Sequence, residues 1–149
     1  MERFLLDTSC MVAAVCSWHN DHAETAGDIT RRVRRGDKLV SAAPALVEAY
    51  SVLTRLPSPQ RLSPSDALAV LEMSFVANAQ IVALANHSYI ALLRKAPTIE
   101  VYGGNIYDAV IAECALQARV STLLTLNQAH FKKWESDRLK IIVPGAANS

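Results

Sequence analysis

Phe4-Leu5-Leu6-Asp7-Thr8-Ser9 reads as a short buried strand that ends in a carboxylate and passes at once into hydroxyl residues suited to capping a helix. Such a junction places Asp7 at the carboxyl end of a strand, the end at which open parallel sheets bind ligands. Outward from it, strand-like apolar runs recur at Leu39–Ser41, Gln80–Leu84, Thr122–Leu124 and Lys140–Val143. Helical patterns over 9–16, 20–35, 43–56, 64–77, 85–95 and 105–118, with a short one near 128–134, separate most of them. That alternation predicts an α/β fold with a mainly parallel sheet.

A length of 149 residues, 51% of them hydrophobic, suits one domain over 1–149 with a real core and a frayed tail at 144–149. The stretch Leu56-Pro57-Ser58-Pro59-Gln60-Arg61-Leu62-Ser63-Pro64 resembles a linker, yet strands lie on both sides of it, so neither part could bury a sheet alone. Ser63-Pro64 reads as a helix start inside that single domain, and Gly103-Gly104 as the turn into the helix that follows. Fifteen Lys+Arg against fourteen Asp+Glu leave a net charge of +1, a field that neither demands a nucleic-acid partner nor excludes one. Cys10, Cys16 and Cys114 have no metal-site spacing and suit small buried hydrophobes in a reducing compartment. No run approaches the roughly 20 apolar residues that span a bilayer, so a soluble, cytoplasmic protein without a membrane partner is expected.

The chemistry is carried by three acids set in apolar segments: Asp7, Glu48 in Ala45-Leu46-Val47-Glu48-Ala49-Tyr50, and Asp108 in Ile106-Tyr107-Asp108-Ala109-Val110-Ile111-Ala112. Asn105 precedes Asp108 by three residues and shares its helix face. An ionised group at the margin of a core needs a compensating partner, and no Lys or Arg adjoins any of the three in sequence. A divalent cation is the simplest shared partner. Mg²⁺ or Mn²⁺ fits best, because hard ions take oxygen ligands together with substrate phosphate. Such an ion acidifies a water and neutralises charge on a phosphodiester, which points to phosphodiester hydrolysis. Singly, Asp7 and Asp108 read equally as helix caps and Glu48 as a partner of Arg55; jointly they point to a site.

Leu6-Asp7-Thr8-Ser9, Val47-Glu48-Ala49, Ile106–Ala112 and Leu123-Leu124-Thr125-Leu126-Asn127-Gln128-Ala129-His130-Phe131 resemble, in order, the four motifs of PIN-domain ribonucleases, and more narrowly VapC-type toxins of toxin–antitoxin pairs. The resemblance implies a three-layer α/β/α sandwich, a Mg²⁺- or Mn²⁺-dependent endoribonuclease acting on RNA, a homodimer, and a cognate antitoxin. It implies that Asp7, Glu48 and Asp108 hold the metal. The fourth motif often carries a further acid where Asn127 stands here, and an amide can neither carry negative charge nor act as a base. Asn127 and Thr125 are then expected to support the metal's water, Thr125 through its hydroxyl.

Other residues admit blander readings. His19 and His22, in Trp18-His19-Asn20-Asp21-His22, sit where a loop enters a helix, with Asn20 or Asp21 as its cap, and are not read as ligands. His130 reads as a solvated histidine near the site. The run Arg31-Arg32-Val33-Arg34-Arg35 reads as a solvated helix end rather than an RNA track. Lys132-Lys133-Trp134 is evenly balanced between surface and RNA contact, with Trp134 able to stack on a base. Glu113 is expected to pair at the surface. Apolar positions at Leu46, Val52, Leu53, Leu56, Leu68, Leu71, Met73 and Phe75 exceed the needs of one sheet face, so some are expected at an interface. Two rivals remain: a PIN scaffold that binds RNA or a partner without cutting, and a phosphotransfer domain with Asp7 as nucleophile. The second fits poorly, since Ser9 stands where haloacid-dehalogenase-like phosphatases place a second aspartate, and no P-loop or GxGxxG is present.

Overall fold

The structure is a computed structural model and describes residues 1–146. Its strands are β1 (Arg3–Leu6), β2 (Lys38–Ala42), β3 (Gln80–Val82), β4 (Thr122–Leu124) and β5 (Lys140–Ile142), and its helices are α1 (Thr8–Val15), α2 (His22–Arg34), α3 (Ala43–Thr54), α4 (Pro64–Leu71), α5 (Asn86–Lys95), α6 (Asn105–Gln117) and α7 (Gln128–Phe131). All pairings are parallel and the strand order is β3-β2-β1-β4-β5. Phe4, Leu5 and Leu6 are consecutive and all buried, as are Thr122, Leu123 and Leu124. Neighbouring side chains on a strand point to opposite faces, so both faces of the sheet are covered and the three-layer α/β/α arrangement follows.

Central β1 pairs with β2 on one side and with β4 on the other, Leu5 lying beside Val40 and Leu123. The chain builds β1, β2 and β3 outward, then crosses to β4 and β5. The order therefore reverses between β1 and β4, and a crevice opens at their carboxyl ends. Asp7 and Thr125 are the residues that leave those two strands, with Asp7 N–H bonded to Leu124 O at 3.0 Å and Thr125 N–H to Ile142 O at 3.0 Å. On α6, Ala109, Ala112 and Ala115 are fully buried, a small face that lets this helix lie close to its neighbours.

Several local expectations change. Asp7, rather than Thr8 or Ser9, caps α1 by accepting the Cys10 N–H at 2.9 Å, so the helix starts one residue early. Ser63 does cap α4, with Pro64 at its first turn, accepting the Asp66 N–H at 3.1 Å. The predicted helix over 64–77 is α-helical only to Leu71 and then widens into a π-helical turn over Glu72–Val76, with Ala77 N–H reaching Glu72 O at 2.9 Å. Ser41 Oγ of β2 donates to Phe75 O at 2.7 Å and Phe75 is buried, so the wide turn is fastened to the sheet. Gly103 takes a left-handed φ of +58°, which supports the predicted turn into α6.

The basic run is not a plain solvated end. Arg32 is buried, ion-paired to buried Asp28 at 2.6 Å and 5.9 Å over the Phe4 ring, while Arg31 also pairs with Asp28 and Arg35 with Asp37. Trp134 is only 8% exposed, so it cannot stack on a base, and Lys133 Nζ donates to Ile99 O at 2.7 Å. Glu113 pairs with Lys95, as expected. All three cysteines are free and buried. Of the tail predicted to fray, Pro144 is buried, Ala146 N–H bonds to Val143 O, and a Cβ on Gly145 would lie 2.7 Å from Glu24 Cγ, so the chain packs on α2 to this point. Residues 147–149 lie outside the described residues.

Candidate active site

The crevice at the β1/β4 switch is a pocket of about 440 Å³ whose lining includes Asp7, Glu48, Asp108, Asn105 and Asn127. Four segments far apart in sequence converge there because Asp7 leaves β1, Glu48 lies in α3, Asp108 in the first turn of α6, and Asn127 just before α7. Thr125 is fully buried and does not line the pocket; it stands behind Asp7.

Asp7 is 2% exposed and held on both oxygens. Oδ1 accepts from Ser9 Oγ at 2.7 Å and from Cys10 N–H, while Oδ2 accepts from Thr125 Oγ1 at 2.5 Å. Ser9 Oγ in turn accepts the Leu126 N–H at 3.1 Å, and Thr125 Oγ1 the Asn127 N–H at 2.9 Å. These bonds tie the end of β1 to the fourth motif. Burial pushes the Asp7 carboxyl up from 3.8 to about 6; hydrogen bonds from Ser9, Thr125 and Cys10 oppose the rise, and the charge of Asp108 adds a little to it. Asp108 is likewise raised by burial, with the His130 hydrogen bond and charge working against the rise and the Glu48 charge reinforcing it. Glu48 Oε1 accepts from Thr8 Oγ1 at 2.5 Å, which turns it toward the pocket rather than toward Arg55.

Two histidines not read as ligands from sequence also line this pocket. His130 Nδ1 lies 3.0 Å from Asp108 Oδ2 and His19 forms part of the rim. The signal for His130 was its spacing: three residues past Asn127, across the single turn of α7, it shares that residue's face. His22 instead turns inward, its Nδ1 2.9 Å from Ala13 O.

Among the described residues no three His, Cys, Asp or Glu side chains are already gathered as a cage for an ion. Mg²⁺ does not require one, since it keeps several waters and is bound through one or two carboxylates together with substrate phosphate. Carboxylates that raise one another's proton affinity, with no Lys, Arg or Cys in the lining, make a hard-oxygen environment that a divalent cation relieves. The residues present therefore fit such an ion.

A PIN-domain family model matches residues 4–135. Among curated proteins, ribonuclease VapC40 of Mycobacterium tuberculosis is 35% identical over 135 residues, covering 91% of this chain and 94% of that protein. Ribonuclease VapC27 of the same organism is 33% identical over 114 residues, covering 76% and 77%. Among solved structures, VapC20 of M. tuberculosis, described as a sarcin–ricin loop cleaving toxin, superposes with a TM-score of 0.68 at 11% identity, covering 90% of this chain and 97% of that one. VapBC2 of Rickettsia felis, solved on a promoter DNA fragment, superposes at 0.66 and 18% identity, covering 93% and 98%. At those identities the structural likeness speaks to the fold.

Proposed function

The chain belongs to the PIN-domain family, and from that premise we propose that it is a cytoplasmic, Mg²⁺- or Mn²⁺-dependent endoribonuclease, the toxin of a type II toxin–antitoxin pair. The observation that carries this reading is the convergence of Asp7, Glu48 and Asp108 on one pocket at the topological switch of the sheet. Two curated ribonuclease relatives support it, each more than 30% identical across most of the chain. No helix among the described residues is long and apolar enough to cross a membrane.

Asp7, Glu48 and Asp108 would hold the ion. When bound, it supplies an acidified water and neutralises charge on the scissile phosphate. The protein's own part is orientation. Thr125, Ser9 and the Cys10 N–H fix Asp7, Thr8 fixes Glu48, and His130 steadies Asp108. Asn127 offers the pocket an amide and no base, so the acids carry the charge and Thr125 is a positioning residue. In-line hydrolysis by water leaves 5′-phosphate and 3′-hydroxyl ends. Recovery of 2′,3′-cyclic phosphates would instead mean attack by the substrate's own 2′-hydroxyl and would contradict this mechanism.

For the antitoxin we propose a groove of about 890 Å³ between α3, α5 and α6, where Val47, Leu93 and Tyr107 are exposed and Glu48 is shared with the active site. A protein seated there would cover apolar surface and close the site together. For the homodimer we propose a contact through exposed apolar residues of α4, the π-helical turn and edge strand β3, namely Leu68, Met73 and Ile81. Of the surplus apolar positions, Leu53, Leu71 and Phe75 are core. A scaffold that binds RNA without cutting it is the alternative, and it would bind metal and release no fragments.

A further inference from the structure

We propose that Trp18, backed by His19, is a stacking platform for an unpaired nucleobase of the RNA held at the acidic pocket. This rests on the ribonuclease reading above and deepens it by naming the side chains that would hold a base of the substrate beside the cut.

The pocket lining contains three carboxylates and neither Lys nor Arg. A polyanion gains no attraction there from a fixed positive side chain. Beyond what a bound cation contributes, affinity close to the cut then leans on uncharged contacts, and the base faces are the largest apolar surfaces that unpaired RNA offers. Phe131 of the fourth motif and Trp134 just past it are both buried. Trp18 is 50% exposed, its ring centroid is 5.8 Å from that of His19 at an interplanar angle of 38°, and His19 lines the pocket with the three acids. An indole left half in water beside a catalytic pocket forgoes the burial that large apolar side chains usually gain.

The loop carrying it is held firmly. His19 N–H bonds to Cys16 O at 3.0 Å, His22 N–H to His19 O at 3.1 Å, and His22 Nδ1 lies 2.9 Å from Ala13 O. Asp21 N–H donates to His19 Nδ1 at 3.0 Å, which assigns the ring proton to Nε2 and leaves a donor for a base edge or a phosphate oxygen. A platform fixed in advance loses little entropy when a base lands on it. Bases inside a duplex are already stacked on one another, so a loop, bulge or free strand is the RNA this feature takes.

The test uses tryptophan emission, since the chain has two tryptophans and Trp134 is the buried one. Asp108→Asn protein, which is expected not to cut, is titrated with a short unstructured oligoriboadenylate and with an abasic ribose-phosphate oligomer of equal length. The expected result is saturable quenching by the adenylate, with binding about tenfold tighter than to the abasic oligomer. In the same background Trp18→Ala removes both the quenching and the preference, while Trp18→Phe keeps most of the preference and His19→Ala weakens it. Equal binding of the two oligomers, no binding of either, or unchanged preference in Trp18→Ala overturns the platform. Emission that responds only to protein concentration, or only to a partner protein, also overturns it and makes Trp18 a protein interface. Cleavage of cellular RNA by the wild type is scored separately. Cutting without a base preference removes the platform alone, and quenching without cutting removes the ribonuclease reading alone.

Discussion

Asp7 concentrates the physics of the site in one side chain. Its carboxyl is pushed up to about 6 by burial, so the folded chain holds that proton more tightly than the unfolded chain does. The stability contributed by protonated Asp7 is therefore fully present below about pH 4 and is lost as pH rises through about 6, a loss on the order of 3 kcal/mol. Asp7→Asn lacks this titration. In chelator, urea unfolding is expected to show the stability of the wild type falling relative to Asp7→Asn between about pH 4 and about pH 7, with a gap that Mn²⁺ narrows by binding the native wild type. A gap independent of pH would contradict the burial account. The three acids were legible because charges in apolar segments are rare enough to demand a reason. Thr125 was expected, through family resemblance, to support the metal's water, and its bond to Asp7 had no local signal; Ser9 was misread as a cap because nothing local distinguishes a hydroxyl that caps a helix from one that clamps a neighbouring carboxylate.

Among the elements, α2 shows how a charge pattern misleads. Four arginines in five residues read as a wet helix end, yet Arg32 points inward to Asp28, four residues earlier, and over Phe4 of β1. The clue was Asp28 at helical spacing from both Arg31 and Arg32, which turns a repelling run into paired charges. Removing one member of a buried pair strands the other. Asp28→Asn is therefore expected to cost about 3 kcal/mol or more in urea unfolding near neutral pH. A cost below about 1 kcal/mol would mean that Arg31 and solvent compensate and that the pair is not structural. Strand and helix order was legible because short continuous apolar runs alternate with longer segments of helical pattern. The π-helical turn after α4 was not, since it depends on Ser41 of a distant strand bonding Phe75 O, a contact without local signature. Trp134 was misplaced for the same reason: whether a motif-adjacent aromatic faces RNA or the core is decided by packing.

Across the whole molecule, the sheet order explains why residues more than 100 positions apart act together: β1 and β4 are neighbours at the switch, and the chain between them returns Glu48 and Asp108 to the same rim. Convergence at that rim could be expected from sequence once the sheet was taken as parallel, whereas the surfaces that receive partners could not, because exposed apolar residues are revealed only when the core has claimed its share. On the proposed function, this rim cuts RNA with a divalent ion held by these acids. The most direct measurement is incubation of wild type and Asp108→Asn with total cellular RNA, with Mn²⁺ or with chelator, followed by sequencing of every new 5′ end. Discrete ends that require both the metal and Asp108 are the predicted result. Ends that persist in chelator or in Asp108→Asn, or no new ends from a wild type that binds Mn²⁺, would contradict it.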